Sequence, residues 1–501
     1  MAAAKAKKRV SGSKRKAAKK TKRGVAKAAK KTKQGAKAAK TVKTAKTSGP
    51  EPAPGAPASP PAAAGGDLTG LRIRMYRVGF GDFFLLSVPT PKGPKPFRHI
   101  LIDCGVHAVD LGSIQDAVAQ MRKDCGDELA LVIMTHRHAD HISGFGKCAD
   151  EFSQISVDRV WMPWFEDPTN GTATKVQNNL TAMASQLALR LAARGSSDPH
   201  VNMVNNITGG MAASGVSANQ KALDVLHKGF KDPQPVPGYY RAGDPPNLPQ
   251  DLIDAGFSAQ ILGPPGDLSL ITQMTNVNDQ YLTGAAPEDD KTAKTSPKAL
   301  NTFPKAFKSD AGAYPASAFR FFGSDKVKAL IDNVQPDVLA AQARAADKTL
   351  NNQSLVILFS FKGKNLLFVG DAQWGNWENF LYGGAFGTAG HTQMTKQATE
   401  ILNSIDFYKV GHHGSRNATP KDAVAGMMRL GCACMCSTQL DAYNEVPREP
   451  LMQALSKQMD GKLARSDQIA ASDDKPADPR AGDLPTNYFE TTGKLFIDYN
   501  L

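Results

Sequence analysis

Thr135-His136-Arg137-His138-Ala139-Asp140-His141-Ile142-Ser143-Gly144 packs three imidazoles and a carboxylate into a few residues, directly after residues 129–134, an apolar run that reads as a strand. His136 and His138 are two apart, so on an extended segment leaving that strand they project to one side and can close on one ion. Asp140 and His141 lie just beyond and can face a second ion. Neutral imidazole and carboxylate suit borderline metals such as zinc, and three or fewer protein ligands per ion leave a position for water. The bland alternative is a set of satisfied core histidines. Against it, five of the ten histidines fall in two short clusters, each behind a strand-like run.

The second cluster is Gly411-His412-His413-Gly414-Ser415, at the end of a strand read at 406–410. Its alternative is a chance turn between glycines. Ahead of it, strands read at 354–361 and 365–369 lead into Gly370-Asp371-Ala372. A carboxylate at a strand's end, beside a glycine that permits close backbone approach, suits a ligand bridging two ions. Taken alone, Gly-Asp after a strand is more often a turn.

With 501 residues the chain exceeds the usual single domain, so one large domain with insertions, or two domains, is expected. The formal charge of +14 is unevenly spread: residues 1–50 hold 19 of the 61 Lys and Arg and no acid, leaving 42 basic against 47 acidic residues, about −5, for the body. Residues 1–66 are Lys/Ala-rich, then Pro/Ala-rich, with a loose repeat (26–30 against 36–40) and no aromatic residue, so this tail is expected to be disordered in isolation. It resembles the Lys/Ala-rich tails of linker histones and bacterial histone-like proteins. Such a tail, with Lys14, Arg15, Lys16, Lys19, Lys20, Lys22 and Arg23, binds polyanions by counterion release, nucleic acid being the favoured one. A targeting peptide or a solubilising tail are the competing readings, though transit peptides are Arg-rich and a secretory signal needs an apolar centre missing here. No run reaches the roughly 18 apolar residues of a membrane span. A cytoplasmic protein, in contact with the nucleoid if the tail binds DNA, is therefore expected, with its six cysteines reduced. Cys432, Cys434 and Cys436 alternate, which on a strand sets them on one face as buried apolar side chains rather than as a metal site.

Elsewhere, strands read at 71–78, 83–88, 99–103, 158–162 and 257–262, and helices at 111–121, 172–193, 219–228 and 325–346. Trp374 and Trp377 stand at helical spacing behind Asp371 and read first as packing, second as a surface for substrate stacking.

The order of these motifs resembles the metallo-β-lactamase superfamily, and within it the hydrolase domain of the competence-type DNA-uptake proteins (ComEC-like). The resemblance covers residues 71–501. It rests on Val78-Gly79-Phe80-Gly81-Asp82, Leu101-Ile102-Asp103-Cys104-Gly105, the histidine-rich stretch, Asn351-Asn352-Gln353-Ser354-Leu355-Val356, Phe368-Val369-Gly370-Asp371 and Lys409-Val410-Gly411-His412-His413-Gly414-Ser415. It implies an α/β fold, an αββα sandwich with insertions at about 165–255 and 265–350. By the same resemblance His136 and His138 bind a first metal, Asp140 and His141 a second, and Asp371 bridges them. His412 is the choice for closing the second site, with His413 contacting substrate, although which does which stays open. Asp82 and Asp103 orient the ligands from behind. Many relatives place another histidine on the first metal where this chain has Asn351 and Asn352, so Asn352 is a candidate contact for metal or substrate; His200 and His227 are weaker substitutes. The implied cofactors are two divalent ions, zinc or alternatively manganese, ionising a water that attacks phosphorus or carbonyl carbon. Asp140 and His413 are the expected catalytic groups, with Ser415 able to touch a phosphate oxygen. Three functions remain open: a phosphodiesterase or nuclease; a hydrolase of a small ester, lactone or β-lactam, which the acidic body suits; and a non-catalytic nucleic-acid-associated protein with a degenerate domain.

Overall fold

The strand-like runs become two mixed β-sheets in the computed structural model, which describes residues 70–192, 204–207, 218–273, 276, 281, 349–387, 392–426, 431–440, 442–443 and 446–501. The basic tail with its lysines and arginines, the helix expected at 325–346, and His200 lie outside these residues. The strands are β1 (Arg72–Tyr76), β2 (Phe83–Pro89), β3 (Phe97–Cys104), β4 (Glu128–Ile133), β5 (Ser156–Pro163), β6 (Pro237–Tyr240), β7 (Phe257–Gly263), β8 (Val356–Phe361), β9 (Lys364–Phe368), β10 (Ile405–Lys409), β11 (Ala433–Cys436), β12 (Leu463–Arg465), β13 (Phe489–Thr492) and β14 (Phe496–Asn500). One sheet runs β13-β14-β1-β2-β3-β4-β5-β6 and the other β12-β11-β10-β9-β8-β7. Each sheet has an antiparallel part and a parallel part, the latter being β3 to β6 in one and β9 to β12 in the other.

Alternation along the strands divides the apolar side chains among three clusters. Leu131, Ile133, Phe84 and Ile102 of the first sheet share one with Phe359, Phe368, Phe407 and Met435 of the second. Val132 and Leu101 turn instead toward the helices Ile114–Cys125, Ala139–Lys147 and Ala218–Lys228. Leu367 and Tyr408 turn toward the helices Trp374–Tyr382, Lys396–Ser404 and Glu449–Gln458. The helix Ile114–Cys125 starts later than the sequence pattern suggested because the Ser113 hydroxyl caps it, accepting from Asp116 N at 3.1 Å.

Cys432, Cys434 and Cys436 all belong to the helix-side cluster of the second sheet while Ala433 and Met435 face the other way, as the alternating spacing required. All six cysteines are buried and none is in a disulfide. Cys434→Ser should therefore destabilise by about 1–3 kcal/mol, the cost of burying a hydroxyl in an apolar layer. Urea unfolding measures this, and a loss no greater than that of Cys434→Ala would mean that the hydroxyl finds a partner there.

Two features escape local patterning. The last strand, β14, lies between β13 and β1, and Leu71 and Leu501 exchange backbone hydrogen bonds of 3.1 and 2.8 Å. Within 165–255, residues read as insertion supply β6, which extends the first sheet beside β5. Most of 265–350 lies outside the described residues. Trp374 and Trp377 are 3% and 1% exposed, so they are packing residues. No described helix is long and apolar enough to cross a membrane. The described residues belong to one compact unit, Gly65–Leu501.

Candidate metal centre

Parallel strands open a crevice beyond their carboxyl ends, where ligands of such sheets commonly sit. Asp103 ends β3, His136 to His141 follow β4, Asp371 follows β9, His412 and His413 follow β10, and Ser437 follows β11. Two glycines let these segments meet. A Cβ on Gly105 would lie 2.4 Å from His141 N, and one on Gly370, at φ +51°, would lie 2.8 Å from Thr135 Cβ. Thr135 itself joins the halves, its carbonyl accepting from Leu355 N at 2.9 Å.

Four side chains converge. The ligand atoms of Asp140, His141, Asp371 and His413 all lie within 4.8 Å of one another, and all four residues are buried. His141 Nε2 is 3.2 Å from Asp371 Oδ1, and His413 Nε2 is 3.3 Å from Asp140 Oδ2 and 3.6 Å from Asp371 Oδ2. Asp140 Oδ1, His141 Nε2, Asp371 Oδ1 and His413 Nε2 have no hydrogen-bond partner. A buried polar atom without a partner is costly, and four of them facing one point fit a cation.

The opposite edge of each ring is held. His141 Nδ1 is 2.7 Å from Asp103 Oδ2, and the same carboxylate accepts from Thr135 N and Oγ1, each at 2.7 Å. Asp103 reaches this position at a bulge in the β2–β3 pairing, with φ at 55°. His413 Nδ1 is 2.9 Å from Ser437 O. Both contacts aim Nε2 inward. Asp82 sits behind, 3.6 Å from both Nδ1 atoms, and is paired with the buried Lys409, which also donates to Gly370 O at 3.1 Å.

The two adjacent histidines take different places. His413, rather than His412, lies with Asp140 and His141, and it is fully buried. His412 lies on the other flank of Asp371 with its side chain 20% exposed, its Nε2 3.4 Å from Asn351 Nδ2 and its Nδ1 3.4 Å from Gln373 Nε2. Both histidines hold left-handed backbones, φ 45° and 51°, and this fans their rings apart. Asn351 and Asn352 also differ in where they point. The Asn352 amide is spent on Ile271 O, Gln273 O and the backbone of Gln373 and Asn376, and Asn351 is the one that reaches the site. The Ser415 hydroxyl donates to Asn417 at 3.1 Å. His227 Nδ1 bonds Leu223 O within its own helix. Lys409 and Gln373 were not singled out in the sequence. A lysine at the end of a strand, just ahead of two histidines, was the signal available for the first.

Burial opposes charge throughout the centre, yet the neighbours decide the outcome. Asp371, Asp103 and Asp82 overcome burial and hold the His141 pKa well above the ordinary imidazole value, and Asp371 and Asp140 raise His413. The imidazoles keep Asp140 and Asp371 ionised against burial. Burial dominates at His136, pushed well down, and at His138, pushed down to about 4. A metal entering between Asp140 and His141 therefore displaces protons from His141 and His413. Because those pKa values are raised, the apparent affinity of a metal there should climb with pH, by up to about tenfold per unit for each proton displaced, through the ordinary imidazole range and above it. Competition with a chromophoric chelator reads this directly, and a flat profile would speak against protonated ligands.

No protein-family model matches the chain, and no curated protein matches it in sequence.

Proposed function

We propose that this chain is a metal-dependent hydrolase, built as an αββα sandwich of the metallo-β-lactamase type, that cleaves phosphodiesters in nucleic acid. The observation that carries the reading is the set of four buried, inward-facing atoms of Asp140, His141, Asp371 and His413 that lack hydrogen-bond partners. Two carboxylates and two imidazoles suit zinc, with manganese as the harder alternative.

A divalent ion held there supplies Lewis acidity and makes water nucleophilic near neutral pH. The residues do the positioning. Asp140, in the first turn of its helix, stays ionised and orients a water molecule by accepting its hydrogen bond. Asp103 and the Ser437 carbonyl fix the two ring orientations, and Lys409 offsets part of the carboxylate charge. His412, the exposed member of the cluster, marks the side from which substrate arrives. The basic tail would retain the polyanion, a task the acidic body is poorly suited to. Six free thiols fit the cytoplasm as the compartment.

Metal analysis of the purified chain, followed by assay on single-stranded DNA, duplex DNA, RNA and bis-p-nitrophenyl phosphate, tests the reading. Turnover of the diester with bound metal is expected; turnover confined to esters, lactones or β-lactams would move the substrate class. Removing residues 1–66 should abolish salt-sensitive DNA retention, a loss of about tenfold or more in affinity, and leave diester hydrolysis within about twofold. Equal DNA retention with and without the tail would refute this division of labour.

A further inference from the structure

The histidine-rich loop is gripped from outside by a stretch that the sequence reads as insertion. Arg137 stands between His136 and His138, and its guanidinium goes to Glu166, with Nε 2.9 Å from Oε1 and Nη2 2.5 Å from Oε2. Glu166 is buried and also accepts from Gln177 Nε2 at 2.8 Å. The Arg137 carbonyl accepts from Asn219 Nδ2 at 2.9 Å. The same nitrogen donates to Asn206 O at 3.0 Å and to Ile207 O at 3.1 Å. Three carbonyls around one atom identify it as the amide nitrogen, and the amide oxygen is left buried without a partner. Asn206 then reaches the loop itself, its Oδ1 accepting from Asp140 N at 3.1 Å.

The bond to Asp140 N meets a need of the helix Ala139–Lys147. Its N-cap is His138, whose side chain makes no capping bond, and the first N–H groups of a helix have no partner within it. A buried asparagine 66 residues away in sequence supplies the acceptor that a local cap would give. Asp140 and His141 both stand at this end of the helix. We propose that Asn206 and Asn219, with the Arg137–Glu166 pair, are positioning residues that fix the backbone of 137–140 before any ion arrives, and so aim Asp140 and His141 inward. This rests on the metallohydrolase reading and assigns the inserted stretch a task in it. Ordering a loop on binding lowers affinity, and a loop already formed escapes that loss.

Two measurements on the full-length chain test this, both independent of turnover. In the metal-stripped chain, amide hydrogen exchange across 136–147 should quicken about fivefold or more in Asn206→Ala and in Asn219→Asp, the factor a lost cap is worth, while β1 and β14 keep their protection. Zinc affinity, read by competition with a chromophoric chelator, should fall about tenfold or more in both, as when a partner behind a ligand is removed. Asn206→Asp keeps an acceptor for Asp140 N and should stay within about threefold of the unaltered chain, since Asn and Asp cap equally well. The same change at 219 turns a donor into a carboxylate aimed at three carbonyls. Identical substitutions with opposite effects separate hydrogen-bond direction from packing alone. Asn206→Ala removes a single bond to the loop and keeps the test open should Asn219→Asp fail to fold. If Asn206→Ala matches the unaltered chain in both measurements, if Asn206→Asp loses as much as alanine, or if every segment loses protection together, the inference fails while the hydrolase reading stands. A chain that binds no zinc overturns that reading, and amide exchange still decides this one.

Discussion

Asp371→Asn should strip the protein of metal and turnover together. The Asp371 carboxylate is the hub of the centre, lying 3.2 Å from His141, 3.6 Å from His413, and 3.9 Å from each of His136, His412 and Lys409. Asparagine keeps its volume and the backbone bond from Asp371 N to Ser354 Oγ at 3.0 Å, so the change removes charge and a ligand oxygen rather than packing. Losing one electrostatic contact in a catalytic centre costs roughly 10²–10³ in rate. Since the whole metal is expected to go, the fall in diester hydrolysis should exceed that range. Metal content by elemental analysis and hydrolysis of bis-p-nitrophenyl phosphate measure the two effects on one preparation. A variant that retains both at the level of the unaltered chain would dismantle the centre described here.

Lys409→Met should destabilise the fold by about 3–5 kcal/mol, the cost of leaving a buried carboxylate without its cation. Lys409 is 2% exposed at the end of a parallel strand, paired with Asp82 and bonded to Gly370 O. Burial works against the ammonium, but Asp82 and Asp371 outweigh it and hold its pKa above the ordinary lysine value. Methionine fills similar space, so a loss of stability reports the charge. The double change Lys409→Met with Asp82→Asn should recover most of the loss, because the stranded carboxylate is then gone. Denaturant unfolding of the three variants gives the coupling directly. Full stability in Lys409→Met would show that Asp82 has no need of the ammonium.

Much of the architecture was legible because alternation is a local signal. The strands that carry the centre, β3, β4, β9 and β10, appear as short apolar runs, and the three alternating cysteines at and just before β11 fall on one face as their spacing required. Strand β14 was not legible, since its partner β1 lies at the other end of the domain and pairing at that separation leaves no local trace. Edge strand β6 hid in a stretch whose Pro and Gly content reads as loop.

The residue types at the centre were determined by the sequence alone: clustered histidines and aspartates behind apolar strands admit few other readings. Which of these atoms face one another was decided only by tertiary structure. His412 and His413 are adjacent and chemically identical, and two left-handed backbone angles send one inward to Asp140 and the other outward past Asn351. Asn351 and Asn352 are likewise adjacent, and the backbone each amide meets settles their roles. Neighbours in sequence share composition and spacing, so no pattern separates them. Direction in space is set by contacts with segments tens to hundreds of residues away.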